Sequence, residues 1–219
     1  MAMIGKKVVS TQEAIAYLNA NCADVSYDPA YLGPQGAAEA MQALLRQIVF
    51  APRDHLHVFV YGKWRQQARC VAGYGDDGAR YQYSGVCVLA RAWAEAPTLV
   101  QQRELLCERT GFRASFVLIN RYLNGADSIS AHSDDEKDLG PAPTIHSQSF
   151  GAERRFRFRP SRAAAMAAES VQLDLAHGSL LTLRHPTNCL WTHELPKAGG
   201  CHPERIGARL NLTWRQVIG

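Results

Sequence analysis

Ala131-His132-Ser133-Asp134 places a histidine and a carboxylate two positions apart. In extended backbone, side chains two apart point the same way, so both can meet one metal ion from one face. A third candidate ligand, His193, stands fifty-nine positions beyond Asp134, in Leu190-Trp191-Thr192-His193. Two histidines and one carboxylate, leaving coordination positions open, make the facial triad of non-haem Fe(II) oxygenases. A His-x-Asp pair by itself is common by chance. His55 and His57 form a competing pair, but no carboxylate completes a comparable set, and they read as the polar flank of a strand. His177, before Gly178-Ser179, and His185, before Pro186, read as turn residues.

A second group lies near the C-terminus, where Arg209, Asn211, Thr213 and Arg215 alternate with Leu210, Leu212 and Trp214. On a strand, four polar groups then share one face and three apolar groups the other. The apolar face supplies burial against a neighbouring layer. The polar face lines either solvent or the inside of a barrel, and this segment alone leaves both open. Facing inward it is an anion pocket, because arginine makes bidentate, charge-assisted bonds to carboxylates and two can grip a dicarboxylate at both ends. With the metal triad, this describes a 2-oxoglutarate site, whose ligand chelates iron at one end and needs an arginine at the other.

These groups must be positioned by the rest of the chain. Ser10-Thr11-Gln12-Glu13 has capping-box spacing and predicts a short helix ending near residues 19–21. Met41, Leu44, Leu45 and Ile48 recur at helical spacing within 37–50, and a further helix runs over about 97–108, stopped by Gly111. Period-two segments predict strands at 57–61, 81–84, 116–120, 155–158, 179–183 and 209–215, with a strand and turn at 25–32. Residues 62–80 and 135–148 read as long polar loops. Helices early and strands late argue an α+β chain with a sheet folded or closed on itself.

The 219 residues are 47% apolar and 20% charged, which fits one globular domain and excludes a mostly disordered chain. The longest apolar stretch, Val86-Cys87-Val88-Leu89-Ala90, is far short of a membrane span, so no membrane association is expected. The opening residues lack the apolar core of a secretory signal. The six cysteines contain no Cys-x-x-Cys pair and suit free thiols in a reducing cytoplasm. A net charge of +4 permits a polyanionic partner without demanding one. Five arginines in nine positions (Arg154, Arg155, Arg157, Arg159 and Arg162), with Lys63 and Arg65, are candidate phosphate contacts; a solvated basic strand face is the alternative.

Asn120-Arg121-Tyr122, Asp127-Ser128-Ile129, His132-Ser133-Asp134-Asp135-Glu136, Ser149-Phe150-Gly151, the run 176–181, His185-Pro186-Thr187-Asn188 and the Arg209–Arg215 pattern together resemble the AlkB family of DNA and RNA dealkylating dioxygenases. The resemblance covers roughly residues 25–217 and is nearest the branch acting on methylated bases in DNA. It implies a double-stranded β-helix (jelly-roll) core and an oxidation that uses Fe(II), 2-oxoglutarate and O2. By motif, His132, Asp134 and His193 would be the catalytic iron ligands, and Asn120, Tyr122, Arg209, Asn211, Thr213 and Arg215 would bind 2-oxoglutarate. Val60-Tyr61-Gly62-Lys63 resembles the family's hairpin that probes the base stack, and Tyr81-Gln82-Tyr83-Ser84 its base-pocket segment. On residue type alone, Tyr61 is one more strand aromatic, and Tyr81 and Tyr83 are core. A flipped base, however, needs aromatic faces to stack on. Two departures stand out: Tyr61 where close relatives carry Phe, and Glu194 directly after the distal histidine.

The domain plan implied is a single dioxygenase domain: an N-terminal extension over 1–24, helices and nucleotide recognition over 25–115, and a jelly-roll catalytic core over 116–217. The expected activity is oxidative demethylation of N-alkylated bases of the 1-methyladenine and 3-methylcytosine type in DNA, releasing formaldehyde. Asp135 and Glu136 would favour such cationic bases, or else belong to a solvated loop. The expected partner is methylated DNA or RNA, the expected state a cytoplasmic monomer. The rivals are an RNA demethylase, a hydroxylase of a protein or small molecule, and a non-catalytic jelly-roll binding module.

Overall fold

The structure, a computed structural model, describes residues 2–52, 57–60, 62–161 and 168–218. The chain opens with β1 (Ala2–Ile4), β2 (Lys7–Val9), helix α1 (Thr11–Ala20), β3 (Asp24–Asp28) and helix α2 (Gly33–Gln47). Next come β4 (His57–Val60), β5 (Lys63–Gln66), β6 (Cys70–Gly75), β7 (Arg80–Tyr83), β8 (Val86–Leu89), β9 (Arg91–Ala92) and helix α3 (Pro97–Thr110). The second half holds β10 (Phe116–Tyr122), β11 (Ile129–His132), β12 (Ile145–Gly151), β13 (Arg154–Pro160), β14 (Val171–Leu175) and β15 (Leu180–Arg184). It ends with helix α4 (Thr187–Leu190), β16 (Trp191–Leu195) and β17 (Arg209–Arg215).

Two sheets make the jelly roll. The larger runs β3-β15-β12-β17-β10-β6-β9 and the smaller β11-β16-β13-β14-β1-β2, while β4-β5 and β7-β8 are separate hairpins. Leu118, Ile145, Leu181 and Leu183 of the larger sheet share one buried cluster with Phe158, Leu173, Leu175 and Trp191 of the smaller. Burying each such side chain contributes about 1.5–3 kcal/mol. A second cluster lies behind the larger sheet, where Val117, Ile119, Leu210, Leu212 and Trp214 meet Leu44 of α2 and Leu99 and Leu106 of α3. Strand β17 therefore has an apolar side toward the helices and a polar side toward the inter-sheet space.

The helix starts and stops follow local chemistry. Ser10 accepts from the Glu13 amide while the Glu13 carboxylate accepts from the Ser10 amide, so the capping box of α1 is complete. Gly111 ends α3 in the left-handed conformation. Residues 2–24 belong to the same body: β1 pairs antiparallel with β14 (Met3 opposite Gln172), and Ala2, Ala14 and Leu18 are fully buried. No helix among the described residues is long and apolar enough to cross a membrane.

The expectation of helices early and strands late is corrected, because β1 to β9 all precede α3. The expected loop over 62–80 contains β5 and β6, and the one over 135–148 runs into β12. Strand β6 is buried along its whole length and pairs with β10, so it carries no period-two alternation to read. Its glycines are close-packing positions: a Cβ on Gly73 would lie 2.6 Å from Val88 Cγ1 and 2.9 Å from Phe116 Cζ. Gly73→Ala is expected to lower unfolding stability by about 1–3 kcal/mol, the usual cost of overpacking a closed core. Chemical denaturation measures it, and an unchanged midpoint would mean that these neighbours yield freely.

Candidate metal and cosubstrate site

His132 ends β11 and sits directly opposite His193 of β16 in the antiparallel register, with ring centroids 4.3 Å apart. Asp134 follows two residues later. One ligand atom from each of His132, Asp134 and His193 lies within 4.8 Å of the others, near enough for one metal ion to engage all three. The second nitrogen of His132 also suits ligation. His132 Nδ1 meets the Ser130 carbonyl at 2.8 Å, which fixes its tautomer and turns the other nitrogen's lone pair inward. His193 Nδ1 is buried without a hydrogen-bond partner among the described residues, and His193 Nε2 stands 3.6 Å from Asp134 Oδ2. Burial pushes His193 down to about 3, so the imidazole is neutral and available as a ligand at neutral pH. Burial opposes ionisation of Asp134, but Arg215, whose Nη2 donates to Oδ1 at 2.6 Å, holds its carboxyl well below the usual carboxylate range.

The polar face of β17 opens into the same cavity, which Arg209, Asn211, Thr213 and Arg215 line together with Asn120 and Tyr122 of β10. Arg209 donates to Ser149 Oγ at 2.9 Å and lies 5.4 Å over the Tyr122 ring. Burial lowers Arg209 to about 10, leaving it charged at neutral pH. Asn211 Nδ2 donates to Ser147 Oγ at 2.8 Å and to the Gln148 carbonyl, while Thr213 donates to Asn211 Oδ1. Arg215 is committed at the metal end, bonded to Asp134 and 4.4 Å over the Tyr81 ring. Sequence reasoning missed Ser147 and Arg69 as supports, and quoted Ser149 without giving it a role. The serines alternate with Gln148 on β12, but a segment read as loop up to 148 concealed that period.

An outer groove leads to this cavity. It is bordered by Val58 and Arg65 of the β4-β5 hairpin, by Tyr83 and Ser84, and by Asp135 and Glu136. Tyr81 is buried, and its hydroxyl donates to Glu136 at 2.5 Å. Burial, reinforced by Asp134, raises Glu136 despite that bond. Gln82 lies on the other side of β7, exposed, its amide donating to Asp138, and it lines neither space. Gly62 (φ +74°) and Lys63 are exposed at the hairpin turn; Tyr61 and His55 lie outside the described residues.

The arginine-rich strand β13 is already paired within the molecule. Arg155 meets Asp174 at 3.6 Å, Arg157 and Arg159 both meet Glu194 at 2.8 and 2.9 Å, and Arg154 is buried against the carbonyls of Asn124, Asp127 and Pro196. Arg162 lies outside the described residues. The expected basic docking face on this strand is thus largely neutralised in place. Strand alternation also resolves the Glu194 departure, since His193 faces inward and Glu194 outward.

Residues 24–215 match the family model described as the 2OG-Fe(II) oxygenase superfamily. The DNA oxidative demethylase ALKBH2 of Homo sapiens is 39% identical over 210 residues, which is 92% of this chain and 76% of that protein. ALKBH2 of Mus musculus is 42% identical over 190 residues, 84% of this chain and 77% of that protein. The alpha-ketoglutarate-dependent dioxygenase alkB homolog 3 of Bos taurus is 32% identical over 195 residues, 86% of this chain and 64% of that protein. Among solved structures, "The structure of OsALKBH1" superposes with a TM-score of 0.53 at 14% identity, over 89% of this chain and 97% of the other, a likeness of fold.

Proposed function

The chain belongs to the 2OG-Fe(II) oxygenase superfamily, and from that membership we propose that it is an oxidative DNA demethylase acting on N-alkylated bases of the 1-methyladenine and 3-methylcytosine type. The observation that carries the reading is one cavity holding both the His132–Asp134–His193 cluster and the arginine-bearing face of β17. Iron would be held by those three residues, and 2-oxoglutarate by Arg209 with Asn120, Tyr122, Asn211, Thr213 and Arg215.

When bound, Fe(II) and 2-oxoglutarate would supply the oxidising power, one atom of O2 ending in succinate as the 2-oxo acid loses its C1 carboxylate as carbon dioxide, and the other in a hydroxyl group on the methyl carbon. The resulting N-hydroxymethyl group is a hemiaminal; its C–N bond breaks as the hydroxyl proton leaves, releasing formaldehyde and returning the electron pair to the base. The chain's own residues hold and orient. Arg215 keeps Asp134 ionised and aimed at the metal position. Neutral His132 and His193 offer lone pairs. Tyr81 anchors Glu136 at the groove, where its carboxylate would favour a cationic base over a neutral one.

Within this proposal the chain is a single dioxygenase domain acting as a monomer on single- or double-stranded substrate. Its extension (1–24), recognition region (25–115) and catalytic core (116–217) are functional divisions, since β1, β2, β3, β6 and β9 complete the jelly-roll sheets. Mass spectrometry of methylated oligonucleotides before and after incubation with Fe(II) and 2-oxoglutarate tests the activity. Loss of one methyl mass with formaldehyde and succinate is expected, and succinate that methylated DNA does not increase would overturn it. In the same assay Tyr61→Ala should slow double-stranded repair several-fold and largely spare single-stranded repair. Extruding a base costs a few kcal/mol, and an inserted aromatic ring offsets about 1–3 kcal/mol of it. Tyr83→Ala should impair both substrates. Equal losses for Tyr61→Ala would make Tyr61 a packing residue rather than a wedge.

A further inference from the structure

Arg69, just before β6, is only 7% exposed, and no carboxylate pairs with it among the described residues. Its Nε donates to Asn120 Oδ1 at 2.6 Å, and Asn120 is itself 5% exposed. A guanidinium carries donors only, so the amide atom it meets must be the carbonyl oxygen, whichever way an amide might otherwise be turned. That bond therefore dictates the amide's orientation. The Asn120 N–H donors have no protein acceptor among the described residues, and the side chain lines the inner cavity. A charged donor on the oxygen also polarises the amide, making its N–H groups better donors toward an anion.

We propose that Arg69 is a positioning residue for the cosubstrate, locking the Asn120 amide with its N–H donors turned into the cavity beside Arg209 and Asn211. The inference rests on the reading that Asn120 holds 2-oxoglutarate. Its location explains why it is easily taken for something else. Arg69 belongs to the short rim, with Tyr83, Ile129, His132 and Glu136, that borders both the inner cavity and the outer groove. A cation there looks like a nucleic-acid contact.

Calorimetric titration of 2-oxoglutarate into the Fe(II)-loaded protein, kept anaerobic to prevent turnover, separates the roles. Arg69→Met keeps the apolar stem and removes every donor; it should weaken 2-oxoglutarate binding roughly five- to tenfold, with Arg69→Lys recovering part of the loss. Asn120→Ala should weaken binding at least as much, and adding Arg69→Met to it should cost nothing further, because Arg69 acts through Asn120. Unchanged affinity in Arg69→Met, or a loss that adds in full to that of Asn120→Ala, overturns the proposal. So does a loss found instead in binding of a methylated single-stranded oligonucleotide with 2-oxoglutarate affinity intact, which would make Arg69 a substrate contact. Failure of the underlying reading shows separately, as Asn120→Ala binding 2-oxoglutarate like the parent protein.

Discussion

Protein carrying His132→Ala or His193→Ala is expected to fold, to unfold at nearly the parental denaturant midpoint, and to produce no succinate from 2-oxoglutarate. Each substitution removes one of three donors that lie within 4.8 Å of one another, and two donors no longer define the open three-point site. Asp134→Ala should be as inactive but distinct in stability. Asp134 is the buried partner of Arg215, and deleting it leaves a guanidinium 3% exposed with its counter-charge gone. Breaking a buried pair from one side costs about 3–5 kcal/mol. A domain has only about 5–15 kcal/mol in total, so Asp134→Ala should be visibly closer to unfolding. Succinate release and chemical denaturation, both measured on all three variants, test this. Near-normal succinate from His193→Ala would remove that residue from the metal site. Equal midpoints for all three variants would mean that Arg215 finds another partner.

Arg209→Ala should raise the 2-oxoglutarate requirement by about thirtyfold or more while oligonucleotide affinity changes little. Arg209 is buried at the end of the cavity away from Asp134, its visible side-chain bond going to Ser149, so its charge is available to an anion. Losing one member of a buried, hydrogen-bonded charge pair costs about 2–5 kcal/mol, and each 1.4 kcal/mol is tenfold. Arg209→Lys should recover only part, since a point charge cannot reproduce the planar fork. Arg209 is a cleaner probe than Arg215, whose loss would strike Asp134 as well. Succinate production at graded 2-oxoglutarate reads the effect. A deficit that appears instead in oligonucleotide affinity would make this strand face a phosphate-binding surface.

What could be read from residues alone follows physical lines. The β17 pattern was legible because a strand with one side on helices and one on a polar cavity alternates cleanly. The triad was legible as residue types, but only the fold puts His132 opposite His193. Strand β6 was illegible, since a strand buried on both faces has no polar–apolar alternation. Arg69 was missed for a related reason: its partner lies fifty-one positions away, and no local signal marks an arginine that serves an asparagine. The arginines of β13 misled in the opposite direction. Their spacing is that of a docking face, yet their counter-charges, Asp174 and Glu194, come from neighbouring strands that spacing cannot reveal.

The pairing of β1 with β14 bears on where this protein can be cut. The family match starts at residue 24, an inviting boundary for a minimal catalytic fragment. Such a fragment would strip β14 of one of its two neighbours, leaving β13 on one side and a bare edge on the other where Met3 and Ile4 lie opposite Gln172 and Val171. Bare strand edges recruit other chains, so the shortened protein would tend to self-associate through that edge even with every catalytic group in place. The first residues, which contribute nothing to the metal or cosubstrate cavity, act as a guard rail along the open side of the smaller sheet.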